Sequence, residues 1–265
     1  MADAGDILID GAPATAGDLA HVALVNYGAY TSFRCEGGGV RGLDLHLERL
    51  EASARELFGE AAGEARLRDL MRRAVEGRPD CWLRVSLFSP EMSPRTPDWT
   101  GRPRVMTATF PSPEMLASEV RLQTRIYARE AAHLKHVATF GLIRARRMAK
   151  AEGFDDALFV DGAGRVSEGS LWNIGFVRGR DIVWPQAPML AGVAQGLVQR
   201  GLEEVGLSGV TAPVTLTDLP SFDAAFICNS ATPACPVVSI DGYAFGPPPL
   251  DALTAAWASQ PCQPI

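Results

Sequence analysis

Lysine is scarce in this chain. Of the 25 Lys and Arg residues only Lys135 and Lys150 are Lys, and the other 23 are Arg. Arg serves a salt bridge or a solvated surface equally well, but its guanidinium stays protonated and cannot act as a nucleophilic amine. A Lys can lose its proton when desolvated and then add to a carbonyl. Lys135 has the setting for that chemistry, lying between apolar Leu134 and His136-Val137. Lys150 sits in the polar run RARRMAKAEG and reads as an ordinary surface cation. Thirty-three residues beyond Lys135, a single carboxylate, Glu168, opens the strand-like run SEGSLWNIGFV. Taken alone, a strand-end Glu is most simply solvated.

These groups need elements to hold them. ILIDG at 7–11 predicts a short strand closed by an Asp-Gly turn. The stretch from Val22 onward alternates strand and turn, with Gly37, Gly38 and Gly39 making a tight reversal. Asp44 to Phe58 predicts a helix with Asp44 as N-cap, an apolar face of Leu45, Leu47, Leu50, Ala54 and Leu57, and Gly59 as the stop. A second helix covers about 65–76 and ends before Gly77 and Pro79. WLRVSLF and 105–110 read as strands flanking the Pro- and Ser-rich loop SPEMSPRTPDWTGRPR. PSPEMLASEV is the best linker, which divides the chain into domains of 1–114 and 115–265. Beyond it come a strand at 120–126, the Lys135 segment, and GFDDALFV ending in the turn Asp161-Gly162 and Gly164. A strand follows near 181–184, then a helix over 192–205 and the strand-rich end AAFICNSATPACPVVSIDGYAF. Mixed helices and strands indicate α/β or α+β classes rather than a bundle or sandwich.

The block from 134 to 176 resembles the class IV pyridoxal-phosphate aminotransferases (fold type IV). The residues that carry the likeness are Lys135, then Gly153-Phe154-Asp155-Asp156-Ala157, then Glu168-Gly169-Ser170-Leu171-Trp172-Asn173-Ile174-Gly175-Phe176. The resemblance implies an α+β enzyme with a small N-terminal α/β domain and a larger, barrel-like C-terminal α/β domain. It implies pyridoxal 5'-phosphate as cofactor, with Lys135 taking its aldehyde as a Schiff base and Glu168 meeting its ring nitrogen. A carboxylate there keeps the nitrogen protonated and strengthens the ring as an electron sink.

Three segments resemble the family's phosphate contacts. Arg49 stands in the pattern His46-x-x-Arg49-Leu50-x-x-Ser53-Ala54. Gly192-Val193-Ala194 falls where relatives have Gly-Ile-Thr at a helix start, and backbone N–H groups there suit an anion. This chain departs from the pattern in Ala194, which has no hydroxyl, and in Gln195, which stands where Arg is usual. In CNSATPACPV, Ser230 corresponds to a phosphate-binding Thr of many relatives, with Asn229 and Thr232 as nearby alternatives.

The same fold hosts more than one chemistry. Transaminases of this class carry a Tyr four or five residues after the Lys, where this chain has Thr139 and Phe140. Thr139 is the hydroxyl that could substitute. Leu134-Lys135-His136 and Ile227-Cys228-Asn229, followed by Pro233 and Pro236-Val237, resemble aminodeoxychorismate lyase, which releases pyruvate. Against this, the Arg- and Gly-rich loop of that lyase is replaced by SPEMSPRTPDW. Ser93-Pro94-Arg95 resembles the Ser-Pro-Arg-x-His of D-amino-acid aminotransferases, implying Arg95 as a substrate-carboxylate ligand, although Pro97 replaces the His. Tyr30 occupies a position that commonly lines the substrate pocket, and Thr232 is expected on the substrate side with it. The expectation is an aminotransferase acting between an amino acid and a 2-oxo acid, with the lyase as the alternative, and a homodimer as the family implies.

A net charge of −6 argues against a nucleic-acid surface. Cys35, Cys81, Cys228, Cys235 and Cys262 are odd in number and contain no C-x-x-C pair, so neither a disulfide framework nor a zinc site is expected. The N-terminus lacks a basic, apolar signal segment, and no run of about 18 apolar residues exists to span a membrane. A reducing cytoplasm is the expected compartment.

Overall fold

Asp10 and Gly11 both take positive φ, 53° and 83°, the pair of left-handed conformations that closes a two-residue hairpin. They join β1 (Ile7–Ile9) to β2 (Ala12–Pro13), with Ile9 opposite Ala12. The computed structural model describes residues 6–265 and divides them into two compact units. The first runs to Glu114 and also takes in Leu134–Ala138 and Cys262–Ile265. The second holds Met115–His133 and Thr139–Pro261.

In the first unit the hairpin is followed by α1 (Ala16–Leu24), opened by a capping box in which Thr15 and Asp18 satisfy each other's backbone N–H. Val22 to Leu24, expected as strand, belong to this helix. β3 (Ala29–Cys35) and β4 (Gly39–Arg41) flank the glycine reversal. α2 (Leu43–Phe58) and α3 (Glu64–Val75) precede β5 (Cys81–Phe88) and β6 (Arg104–Phe110). The N-cap of α2 is Gly42 (φ 73°), not Asp44, which sits in the first turn where its charge suits the helix dipole. Its buried face is Leu43, His46, Leu47, Leu50, Ser53, Ala54 and Phe58; Leu45 and Leu57 are only half-buried. That face packs with Phe33, Leu67, Met71, Leu83 and Val85 into one core. The sheet is antiparallel in the order β2-β1-β6-β5-β3.

The second unit begins with β7 (Val120–Ile126), α4 (Phe140–Ala151) and β8 (Asp156–Val160), a parallel pair joined through a helix. The run SEGSLWNIGFV is not one strand. β9 (Val166–Gly169) and β10 (Asn173–Arg178) are separated by a turn at 170–172, because Ser170 and Trp172 both turn to hydrogen-bond the Asp156 carboxylate. β11 (Asp181–Pro185) leads to α5 (Val193–Gly201), shorter than expected, since 203–205 form a separate 3-10 turn. Then come β12 (Ser208–Ala212), β13 (Ala224–Asn229), β14 (Thr232–Ile240), β15 (Tyr243–Ala244) and α6 (Leu250–Ala258). The mixed sheet runs β12-β11-β10-β13-β14-β7-β8-β9 and curls, so that β9 comes back against β10 and β11. β16 (Cys262–Pro264) pairs with β4 in the first unit.

Candidate active site

In the first unit the Lys135 segment lies along the start of β3. Tyr30 N–H donates to the Lys135 carbonyl (2.9 Å), and Val137 N–H donates to that of Gly28 (3.0 Å). Gly28 permits this crowding, since a Cβ there would lie 2.4 Å from the Leu87 carbonyl oxygen. Leu134 is buried beside it, which anchors the segment. The Lys135 Nζ stands 4.9 Å from the centroid of the Tyr30 ring. Arg84, on β5, places its guanidinium carbon 3.7 Å from the same centroid and donates from Nε to Ser86 Oγ (3.3 Å). Burial pushes the Arg84 guanidinium below its ordinary range, and the Tyr30 hydroxyl opposes that shift. Among the described residues no carboxylate pairs with Arg84.

One turn before Arg49 on α2, His46 is fully buried, with Nδ1 2.6 Å from Thr31 Oγ1 and its ring 4.6 Å from that of Phe33. Its pKa lies well below 6.5, first because it is buried, then because of the charges of Arg49 and Lys135. Arg49, Lys135 and Arg84 therefore bring three positive charges near the uncharged rings of Tyr30 and His46. Arg84 was not singled out from the sequence. Its partial burial on a strand facing Tyr30 was not a readable signal without the β3–β5 register, which sets Ser32 opposite Arg84 and Tyr30 opposite Ser86. Arg95 lies outside the group. It is exposed in a surface turn between Pro94 and Pro97, where its N–H donates to Ser93 Oγ (3.2 Å) and Ser93 bridges Thr96.

In the second unit Glu168 is 5% exposed. Arg129 Nη1 lies 3.4 Å from its Oε1, and the Leu190 N–H donates to its Oε2 (3.2 Å). Arg129, another residue not foreseen, is itself buried, at 6% side-chain exposure. Leu190 also accepts, through its carbonyl, a bond from Asn173 Nδ2 (2.8 Å). Two residues on, Gly192 caps α5, and a Cβ there would fall 1.9 Å from Asn173 Oδ1. Val193 and Ala194 are buried in the first turn of that helix, whose leading N–H groups have no intrahelical partner. The β13–β14 turn brings up Asn229, Ser230 and Thr232. Asn229 Oδ1 accepts from the N–H groups of Ala231 and Thr232, and Ser230 is half-buried at the tip. The Thr232 hydroxyl is engaged by the Leu116 N–H (2.8 Å). Thr139 is the N-cap residue of α4, and Phe140 is 79% exposed.

Residues 28–240, four-fifths of the length, match the family described as amino-transferase class IV. The chain belongs to the class IV aminotransferases. A proposed branched-chain-amino-acid aminotransferase from Methanocaldococcus jannaschii is 27% identical over 237 residues, covering 84% of this chain and 81% of the relative. The structure of a branched-chain amino acid aminotransferase from T.th., complexed with N-(5'-phosphopyridoxyl)-L-glutamate, superposes with a TM-score of 0.82 at 24% identity, covering 98% of this chain and 97% of the other. A proposed 4-amino-4-deoxychorismate lyase from Legionella pneumophila reaches 0.75 at 22% identity, covering 88% and 91%. The fold is that of the fold type IV aminotransferases, as the sequence resemblance implies.

Pyridoxal 5'-phosphate is the cofactor of this aminotransferase family, and the donor set fits it. Within the second unit the buried Glu168 carboxylate suits a protonated ring nitrogen, and the helix start narrowed to the bare backbone of Gly192 suits an anion; within the first unit Lys135 offers an amine of the kind that adds to an aldehyde. Among the described residues no cluster of His, Cys, Asp or Glu is placed to hold a metal, and no helix is long and apolar enough to cross a membrane.

Proposed function

We propose that this aminotransferase moves the amino group between a branched-chain amino acid and a 2-oxo acid, with Lys135 as its central group. The observation that carries the residue assignment is the hydrogen-bonded seating of the Lys135 segment on β3, which sets its amine beside Tyr30. The named relatives support the substrate class. When bound, the cofactor supplies an aldehyde that takes up the amino group and a ring that accepts the electron pair left when the substrate's Cα–H bond breaks. Lys135 attaches the cofactor and carries the proton away from Cα. Glu168 holds a proton on the ring nitrogen, and its bonds to Arg129 and Leu190 fix the carboxylate that does so. Arg49, Ser230, Asn229 and the amides from Gly192 to Ala194 hold the phosphate. Tyr30 lines the substrate site, and Arg84, rather than the exposed Arg95, binds a substrate carboxylate; Thr232 borders the turn that carries Ser230.

The test incubates the purified protein with pyridoxal 5'-phosphate and a panel of L- and D-amino acids. Formation of the aminated cofactor without an acceptor, fastest with Leu, Ile or Val, supports the reading. Multiple-turnover release of pyruvate without an acceptor would establish the lyase instead. We place the enzyme in the cytoplasm as a homodimer, on the family resemblance; light scattering at the 28.3 kDa monomer mass would remove the dimer.

A further inference from the structure

Asn173 is buried in the second unit, and its side chain has no role among those given above. Its amide works on the loop that connects β11 to α5. Nδ2 donates to the Leu190 carbonyl (2.8 Å), while Oδ1 lies so close to Gly192 that a Cβ there would approach to 1.9 Å. The N–H of the same Leu190 donates to Glu168 Oε2 (3.2 Å). One side chain thus meets the loop at two points, by a hydrogen bond at one and by close packing at the other. The first is the residue that bonds the Glu168 carboxylate, and the second is the residue that opens α5.

Asn173 is itself held firmly. It begins β10 opposite Cys228 of β13, one residue before the Asn229 turn. Just ahead of it, Ser170 Oγ (2.7 Å) and Trp172 Nε1 (3.0 Å) both donate to Asp156, a carboxylate 3% exposed. Gly169 closes the same turn through its N–H to the Trp172 carbonyl (3.0 Å), and its missing side chain leaves room for the indole, which a Cβ would meet at 2.2 Å.

We propose that Asn173 is a positioning residue that ties the Glu168 carboxylate to the amide cradle of α5 through Leu190 and Gly192. It thereby holds the groups for the cofactor's nitrogen and for its phosphate at one fixed spacing. This rests on the roles given to Glu168 and to the start of α5. The physical requirement is plain, since a rigid aromatic cofactor gains from both ends only if the two receiving groups are set beforehand; otherwise binding must order the loop. Asn suits the task because its amide donates to the Leu190 carbonyl while its short, flat head packs against the bare backbone of Gly192.

The test uses holoenzyme with 15N-labelled pyridoxal 5'-phosphate, read by the 15N signal of its ring nitrogen and the 31P signal of its phosphate. Glu168→Gln first establishes the reading, because it must move the 15N signal. Asn173→Asp keeps the acceptor and removes the donor toward Leu190. It should move both signals and weaken cofactor affinity about tenfold. Gly192→Ala approaches the same junction from the other side, by driving a methyl group into Asn173 Oδ1, and should move the 15N signal although it lies at the phosphate end. If Glu168→Gln shifts the nitrogen while Asn173→Asp shifts neither signal, the coupling is wrong and the role of Glu168 stands. The same holds if Gly192→Ala shifts the phosphate alone. If Glu168→Gln leaves the nitrogen unmoved, both the reading and the proposal fall. Gly192→Ala keeps the test decisive if Asn173→Asp does not fold.

Discussion

Replacing Arg129 with Met tests whether the buried pair with Glu168 is structural cement in its own right. Met keeps much of the stem's volume and removes the charge. At 3.4 Å, and with the effective dielectric of about 20 that suits protein sites, the gross attraction is about 5 kcal/mol. Desolvation offsets much of that in the intact protein, so the pair is not worth its gross value. Deleting one partner is another matter. Glu168, at 6% side-chain exposure, then loses the opposite charge beside it while its carboxylate stays buried, with the Leu190 N–H among its remaining partners. Breaking a buried pair in this way costs about 3–5 kcal/mol. For a unit of this size that is a fall in Tm on the order of 10 °C. The assay is thermal and urea unfolding of cofactor-free protein for the wild type, Arg129→Met, Glu168→Gln and the double variant. The double variant should recover much of the loss, because neither charge is then buried opposite a deleted one, giving a coupling energy above about 1 kcal/mol. Additive losses, or an Arg129→Met variant within about 0.5 kcal/mol of wild type, would refute the reasoning.

Three further outcomes are expected. Borohydride reduction of the holoenzyme followed by peptide mass mapping should place the pyridoxyl adduct on Lys135, and an adduct on Lys150 would contradict the central assignment. Arg49→Ala should weaken cofactor affinity by roughly 2 kcal/mol, the scale of a charge-assisted hydrogen bond; unchanged affinity in a folded variant takes Arg49 out of the site. His46 stays neutral in the fold while the unfolded chain protonates it near pH 6.5, so its contribution to stability is intact above that pH and is lost as the pH falls below it. His46→Asn should therefore flatten the acid side of the stability profile by about 2 kcal/mol at pH 5, and parallel profiles for variant and wild type would show that another group sets the acid limit.

Elements with a strong periodic stripe were legible from sequence. α2 was found because Leu47, Leu50 and Ala54 recur on one face, and its Gly59 stop was visible. α1 was not found, because none of its residues is buried and so no stripe exists to read; only the Thr15–Asp18 cap announces it. The break between β9 and β10 was hidden for another reason. Ser170, Leu171 and Trp172 look like strand residues, and the carboxylate that bends them away is 14 to 16 residues distant in sequence. Lys135 and Glu168 stood out through rarity and motif. Arg129 and Arg84 did not, since each is one Arg among 23 and its distinction lies wholly in what the fold sets beside it.

The chain path of the first unit also dictates an order of biosynthesis. Its β3 edge receives Leu134–Ala138, and its β4 receives the strand Cys262–Pro264, where Asp44 N–H reaches Gln263 Oε1 across 219 residues of sequence. As the nascent polypeptide leaves the ribosome, this unit therefore waits with an unfilled edge until the residues between have been translated. Closing so long a loop is slow. The lysine is consequently seated late, after β3 has formed but before the strand at 262–264 arrives, and a fragment stopped at residue 114 would lack both inserted pieces.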